Sequence, residues 1–126
     1  MTTESMQSQS FLLERHGDVA VVIPSPEVES MSENLIQQAA HLVLVPLKAD
    51  PPSGLVIDLG KVKYFGSVFL SLLLRWHTPM KKNGSEMVLA GVNDRIRELL
   101  RLTNLDTLWA IYDTRKQALD ALGGSD

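Results

Sequence analysis

Leu55-Val56-Ile57-Asp58-Leu59 sets the terms for the whole chain. This short run is apolar except for one aspartate. It follows a turn-forming Pro-Pro-Ser-Gly stretch in residues 50–54 and stops at Gly60. With no polar alternation it offers no solvent face, so it is expected as a strand buried in a parallel sheet.

The flanking segments fit that expectation. Phe11, Leu12 and Leu13, then a polar turn through Gly17, then the β-branched run of residues 19–23, predict a hairpin stopped by Pro24 and Pro26. A helix follows, with Met31, Leu35, Ala39, Leu42 and Val43 on its apolar face, and is expected to end near Pro46. After a connector over residues 60–66, Phe69, Leu72, Leu73, Trp76 and Met80 recur at helical spacing and should face the sheet, until Lys81-Lys82-Asn83-Gly84 closes the helix. Residues 87–90 form another short strand, and Asn93 or Asp94 caps a third helix carrying Ile96, Leu99 and Leu100. Residues 108–112 are a further apolar stretch, and a last helix follows Asp113. The order β-β-α-β-α-β-α-β-α predicts an α/β domain: a mostly parallel sheet of about five strands, opened by a hairpin, with about four helices. The domain is expected over residues 11–122, between a loose tail of residues 1–10 and a short tail of residues 123–126.

Composition removes several classes of function. The chain has 126 residues and no cysteine, so disulfides, thiolate catalysis and cysteine-containing metal sites are excluded. Residues 1–10 lack the basic start and apolar run of a signal peptide, and no apolar stretch approaches the roughly 20 residues that cross a bilayer. A cytoplasmic protein without membrane insertion is expected. A net charge of -3 gives no general attraction to nucleic acid. His16, His41 and His77 show no paired ligand spacing and are expected in solvated or capping roles, so no metal or cofactor is assigned. There is no phosphate loop and no Gly-x-Ser-x-Gly elbow, hence no catalytic constellation. Asp58, at the end of the central strand, is assigned to hydrogen-bonding the loop that follows it.

Ser67 is the residue that draws attention. It follows Gly66 and opens a strongly apolar helical run, which marks it as an N-cap whose hydroxyl would accept from the backbone N–H of Phe69 or Leu70. The alternative is an exposed hydroxyl that takes up phosphate at the positive end of the helix. Helical rotation sets Ser67, Ser71 and Thr78 opposite the core-facing residues, with Leu70 and Leu74 beside the serines. Gly66, Ser67, Leu70, Ser71 and Leu74 are therefore the candidate partner-binding patch. Lys61, Lys63, Arg75, Lys81 and Lys82 surround the same helix and would form an anion site if they converged.

The stretch Asp58-Leu59-Gly60-Lys61-Val62-Lys63-Tyr64-Phe65-Gly66-Ser67-Val68-Phe69-Leu70 resembles the signature region of STAS domains. There a strand ending in Asp-Leu-Ser leads through a loop to Asp-Ser-x-Gly-Leu at a helix start. Leu89-Ala90-Gly91-Val92, Arg95, Leu99, Leu102 and Asn104-Leu105 are similar to the family's next strand, helix and closing loop, and residues 109–122 to its last strand and helix. The resemblance is to the anti-sigma-factor antagonists. It implies a bacterial, non-enzymatic signalling protein that regulates transcription by partner switching. The resemblance further implies binding to an anti-sigma factor or related serine kinase of the ATPase type, and a phosphorylation site at Ser67. Two positions depart from the pattern: Gly66 stands in place of aspartate and Phe69 in place of glycine. They keep two alternatives open: a phosphorylation-independent scaffold or self-associating homodimeric module, and a sensor of a nucleotide or small anion.

Overall fold

The protein is described from a computed structural model covering residues 5–7 and 11–124. Among the described residues six strands form one sheet in sequential order: β1 (Ser5–Gln7), β2 (Phe11–His16), β3 (Val19–Pro24), β4 (Gly54–Asp58), β5 (Glu86–Ala90) and β6 (Ile111–Tyr112). β1, β2 and β3 are antiparallel neighbours, whereas β3–β4, β4–β5 and β5–β6 are parallel. The expected five strands are thus present, with an additional edge strand. Ser5–Gln7 pairs with β2, which corrects the expectation of a loose tail at those positions. The other residues of that tail lie outside the described residues, as do Ser125 and Asp126 of the C-terminal one.

The described residues also form four α-helices: α1 (Glu33–Ala49), α2 (Ser67–Lys82), α3 (Asp94–Leu102) and α4 (Arg115–Leu122). Strand alternation sorts side chains into two layers. Ala20, Val22, Leu55, Ile57, Met87 and Leu89 join a core with buried residues of α1, α2 and α3. Val19, Val21, Ile23, Val56, Val88 and Ala90 point the other way and are covered by Ala118 and Leu119 of α4. In the larger layer, Phe11 lies edge-on to Trp76 with centroids 5.5 Å apart, and Trp76 Nε1 donates to the Ala40 carbonyl at 3.4 Å. That bond ties α2 to α1 while satisfying a buried indole.

The apolar face expected for α2 is buried in full, but the phase of α1 differs from the expectation. Ile36, Ala39, Ala40, Val43 and Leu47 face the core, while Leu35 and Leu42 are exposed. α1 is apolar around most of its circumference, so periodicity alone admitted either face. α1 also runs through Pro46 to Ala49. Arg15 accounts for that ending, because its guanidinium donates to the carbonyls of Pro46 (3.1 Å) and Asp50 (2.8 Å). The apolar stretch 108–112 yields only a two-residue strand, preceded by a 3-10 turn at Leu105–Thr107.

A polar network fastens α4 to the sheet. Asp58 accepts from Arg115 Nε at 2.8 Å, Arg115 Nη1 reaches Glu14 at 3.4 Å, and Glu14 contacts His16 Nε2 at 2.8 Å. Asp58 is buried, so removal of its cation leaves a desolvated carboxylate. Arg115→Ala is expected to lower unfolding stability in urea by about 1–3 kcal/mol, more than Lys116→Ala, whose ion pair with Asp120 is exposed.

Candidate functional site

The connector between β4 and α2 is pinned along its length. Asp58 Oδ1 accepts from Gly60 N at 2.9 Å, which is the structural role expected of it. Leu59 N donates to Ala90 O at 2.8 Å, and Val62 and Phe65 are buried. From the next loop, Asn93 Nδ2 donates to the carbonyl of Lys63 at 2.7 Å, while the Arg95 guanidinium lies 4.5 Å from the Tyr64 ring centroid. Gly91 adopts φ +69°, and a Cβ there would come within 3.0 Å of Gly60 N and 3.1 Å of Asp58 Oδ1, so this crossing point requires glycine.

The connector delivers Ser67 as the first residue of α2, and the cap position belongs to Gly66. The N-cap expectation for Ser67 is therefore corrected by one residue. Ser32, Asn93 and Thr114 each cap their helix by accepting a backbone N–H with a side-chain oxygen, from Leu35, Ile96 and Gln117 respectively. At α2 no side chain does so, and its first turn contains no acidic residue. The start of α2 thus presents uncapped N–H groups and the positive end of the helix dipole beside an exposed hydroxyl.

The other candidate residues fall around it. Gly66, Ser67 and Ser71 are exposed, and Ser71 Oγ donates to Ser67 O at 2.9 Å. Leu74 is 39% exposed, whereas Leu70 is half-buried against the core. Phe69 is buried between Phe65 (4.8 Å between centroids) and Phe11 (6.3 Å), so its bulk lies within the domain. Ser67 and Ser71 line an open cleft of about 320 Å3 with Val68 and Arg75 of α2 and with Glu33 and Gln37 of α1. Glu33 and Gln37 escaped the sequence analysis because only the packing of α1 on α2 brings them there. Of the basic residues, Arg75 shares the cleft; Lys81 and Lys82 lie in the last turn of α2, at the opposite end from Ser67, so convergence of the set is not found.

The STAS domain pattern matches residues 10–118, nearly the whole domain. The chain belongs to the STAS domain family. It is 32% identical over 71 residues to the anti-sigma-B factor antagonist of Staphylococcus aureus, covering 56% of this chain and 66% of that protein, slightly under two thirds of its length. Among solved structures it is similar to an anti-sigma-factor antagonist STAS domain protein from Planctomyces limnophilus (TM-score 0.79, 27% identity, 90% of this chain and 98% of that one). An anti-sigma factor antagonist from Mycobacterium paratuberculosis is similar as well, with a TM-score of 0.65 and 30% identity over 97% of this chain and 93% of that one. Among the described residues of this STAS domain no cluster of ligating side chains could hold a metal ion, and no helix is long and apolar enough to cross a membrane.

Two histidines depart from the solvated or capping roles expected of them. His16 contacts Glu14, and His77 Nδ1 accepts from Trp109 Nε1 at 3.1 Å. Burial, aided by Lys81, lowers the pKa of His77 below 6.5. The fold therefore favours neutral His77, and its contribution is intact above pH 6.5. Below that, the unfolded chain takes up the proton first and stability declines until the folded imidazole protonates as well. The drop in melting temperature between about pH 7.5 and about pH 5.5 is expected to be smaller in His77→Gln than in the parent. Because Ser67 caps nothing, Ser67→Ala should change unfolding stability by less than about 0.5 kcal/mol, where loss of a true cap costs about 1 kcal/mol.

Proposed function

We propose that this STAS domain is a non-enzymatic partner-switching protein. It docks an anti-sigma factor or related serine kinase of the ATPase type on Gly66, Ser67, Leu70, Ser71 and Leu74, and phosphate on Ser67 releases the complex. The observation that carries this reading is the exposed Ser67 hydroxyl at the one described α-helix start that no side chain caps. Uncapped N–H groups tolerate a dianion, so modification leaves the fold in place. At the same time a charge of about -2 enters the docking surface. In the cleft it stands between an acidic side chain, Glu33, and a basic one, Arg75, while Leu74 on the same helix favours an apolar contact with the partner.

Phe69 packs inward between Phe65 and Phe11, so its side chain does not cover the approach to the serine. Gly66 favours a second reading, a phosphorylation-independent scaffold, because the carboxylate that accompanies the serine in the family pattern is missing.

Incubation of the domain with its ATPase-type serine kinase and ATP, followed by intact mass and site mapping, separates the two. One phosphate, absent from Ser67→Ala, together with a loss of affinity of about a hundredfold on phosphorylation, is expected for the switch. Binding that is unaltered in Ser67→Asp, with no phosphate added, would establish the scaffold. Leu74→Asp should weaken binding at least about tenfold under either reading, and unchanged affinity in that variant would rule out the patch.

A further inference from the structure

Residues 59–85, which hold the connector and the whole of α2, contain five basic residues and no carboxylate, whereas the rest of the chain carries seven basic residues against fifteen acidic ones. The structure sharpens that division. Outside the segment, Arg15, Arg97, Arg101, Arg115 and Lys116 each have a carboxylate within 4.0 Å. Inside it, none of Lys61, Lys63, Arg75, Lys81 and Lys82 has one among the described residues. Positive charge is thus left unneutralised on one flank of a domain that is acidic as a whole. The part of it near Ser67 is held in place. Lys61 and Lys63 are exposed on the connector, whose backbone carbonyls at Val62 and Lys63 accept from Asn93. The exposed Arg95 lies against Tyr64, three residues before Ser67, and Arg75 shares the cleft with Ser67. The carboxylates on the adjoining elements are Asp94, at the start of α3, and Glu33, across the cleft, so cations remain in excess.

We propose that this flank receives an acidic face of the docked partner protein. The inference rests on the partner-docking reading and adds to it the chemistry of the partner's surface. Lys61, Lys63, Arg75 and Arg95 surround a helix start that no side chain caps, and unpaired cations of this kind attract carboxylates from a distance. Such a field acts on the rate of encounter more than on the lifetime of the complex. A phosphate on Ser67, which stands between Lys63 and Arg75 along the chain, cancels about two of these charges. The modification therefore weakens the long-range attraction as well as the contact itself. A protein face is favoured over a nucleic acid, because the acidic remainder of the domain repels a polyanion that extends past the flank. Leu74, 39% exposed on the same helix, adds the apolar element that a protein interface combines with a charged rim.

Surface plasmon resonance of the full chain against the same ATPase-type serine kinase, from about 50 to about 500 mM salt, is the test. The expected result is an association rate that falls at least about tenfold across that range. At the low-salt end Lys63→Glu should slow association at least about threefold and change dissociation less than about twofold. Lys116→Glu makes the same change in net charge on α4, which covers the other face of the sheet, and should leave the rate within about 1.5-fold of the parent. Lys63 holds Asn93 through its backbone carbonyl and its side chain is exposed, so its variant should keep the parent circular-dichroism melt. A complex whose association is indifferent to salt, or slowed equally by the two substitutions, would overturn this inference and leave the docking reading standing. The absence of a complex at every salt concentration would overturn both. Binding of a duplex DNA of about 20 base pairs, or of phosphatidylserine vesicles, as tightly as the kinase at about 150 mM salt would make the flank a general polyanion surface and also overturn the assignment.

Discussion

Three adjacent strands, β3, β4 and β5, have almost no polar face to give to water, and the architecture follows from that constraint. A parallel sheet of this kind is stable only when both faces are covered. α1, α2 and α3 cover one face through a layer rich in large residues, with Trp76, Phe69 and Phe65 fully enclosed. The other face is lined by smaller side chains, Val19, Val21, Val56, Val88 and Ala90, and the short α4 suffices to close it. Where the covered area gives way to polar groups, Asp58 and Glu14 meet Arg115, so the ion pairs mark the edge of the second layer and fix the entry of α4. The pairing is worth more as an anchor than as a source of net stability, because both partners lose hydration in forming it.

This scaffold separates the residues that hold the domain together from those available to a partner. α2 commits Phe69, Leu72, Leu73, Trp76 and Met80 to the core, which leaves its first turn and the Ser67–Ser71 edge outside. The connector is held by Asn93, Arg95 and the crossing with Gly91, so the helix start is presented in a fixed orientation. A rigid terminus with uncapped N–H groups is suited to a switch that acts by charge, since a phosphate alters the surface potential without requiring the backbone to move.

The strand and helix order was legible in the sequence because each element carries its own period. The burial of Phe69, Leu72, Leu73, Trp76 and Met80 also followed directly from spacing. The phase of α1 did not. Its apolar residues encircle the helix, and only contact with the sheet selects Ile36 over Leu35. The placement of Pro46 inside α1 escaped notice for a similar reason: the guanidinium that satisfies the last carbonyls comes from Arg15, on a strand remote in sequence.

At the candidate site the sequence determined that a serine stands where β4's connector meets an apolar helix, and that Leu70 and Leu74 flank it. Those relations are local and depend only on 3.6 residues per turn. Which residue occupies the cap, and the meeting of Ser67 with Glu33, Gln37 and Arg75 in one cleft, were settled only by tertiary structure. Each depends on how α1 and α2 lie across the sheet, and sequence periodicity contains no information about the relative position of two helices that are not neighbours along the chain.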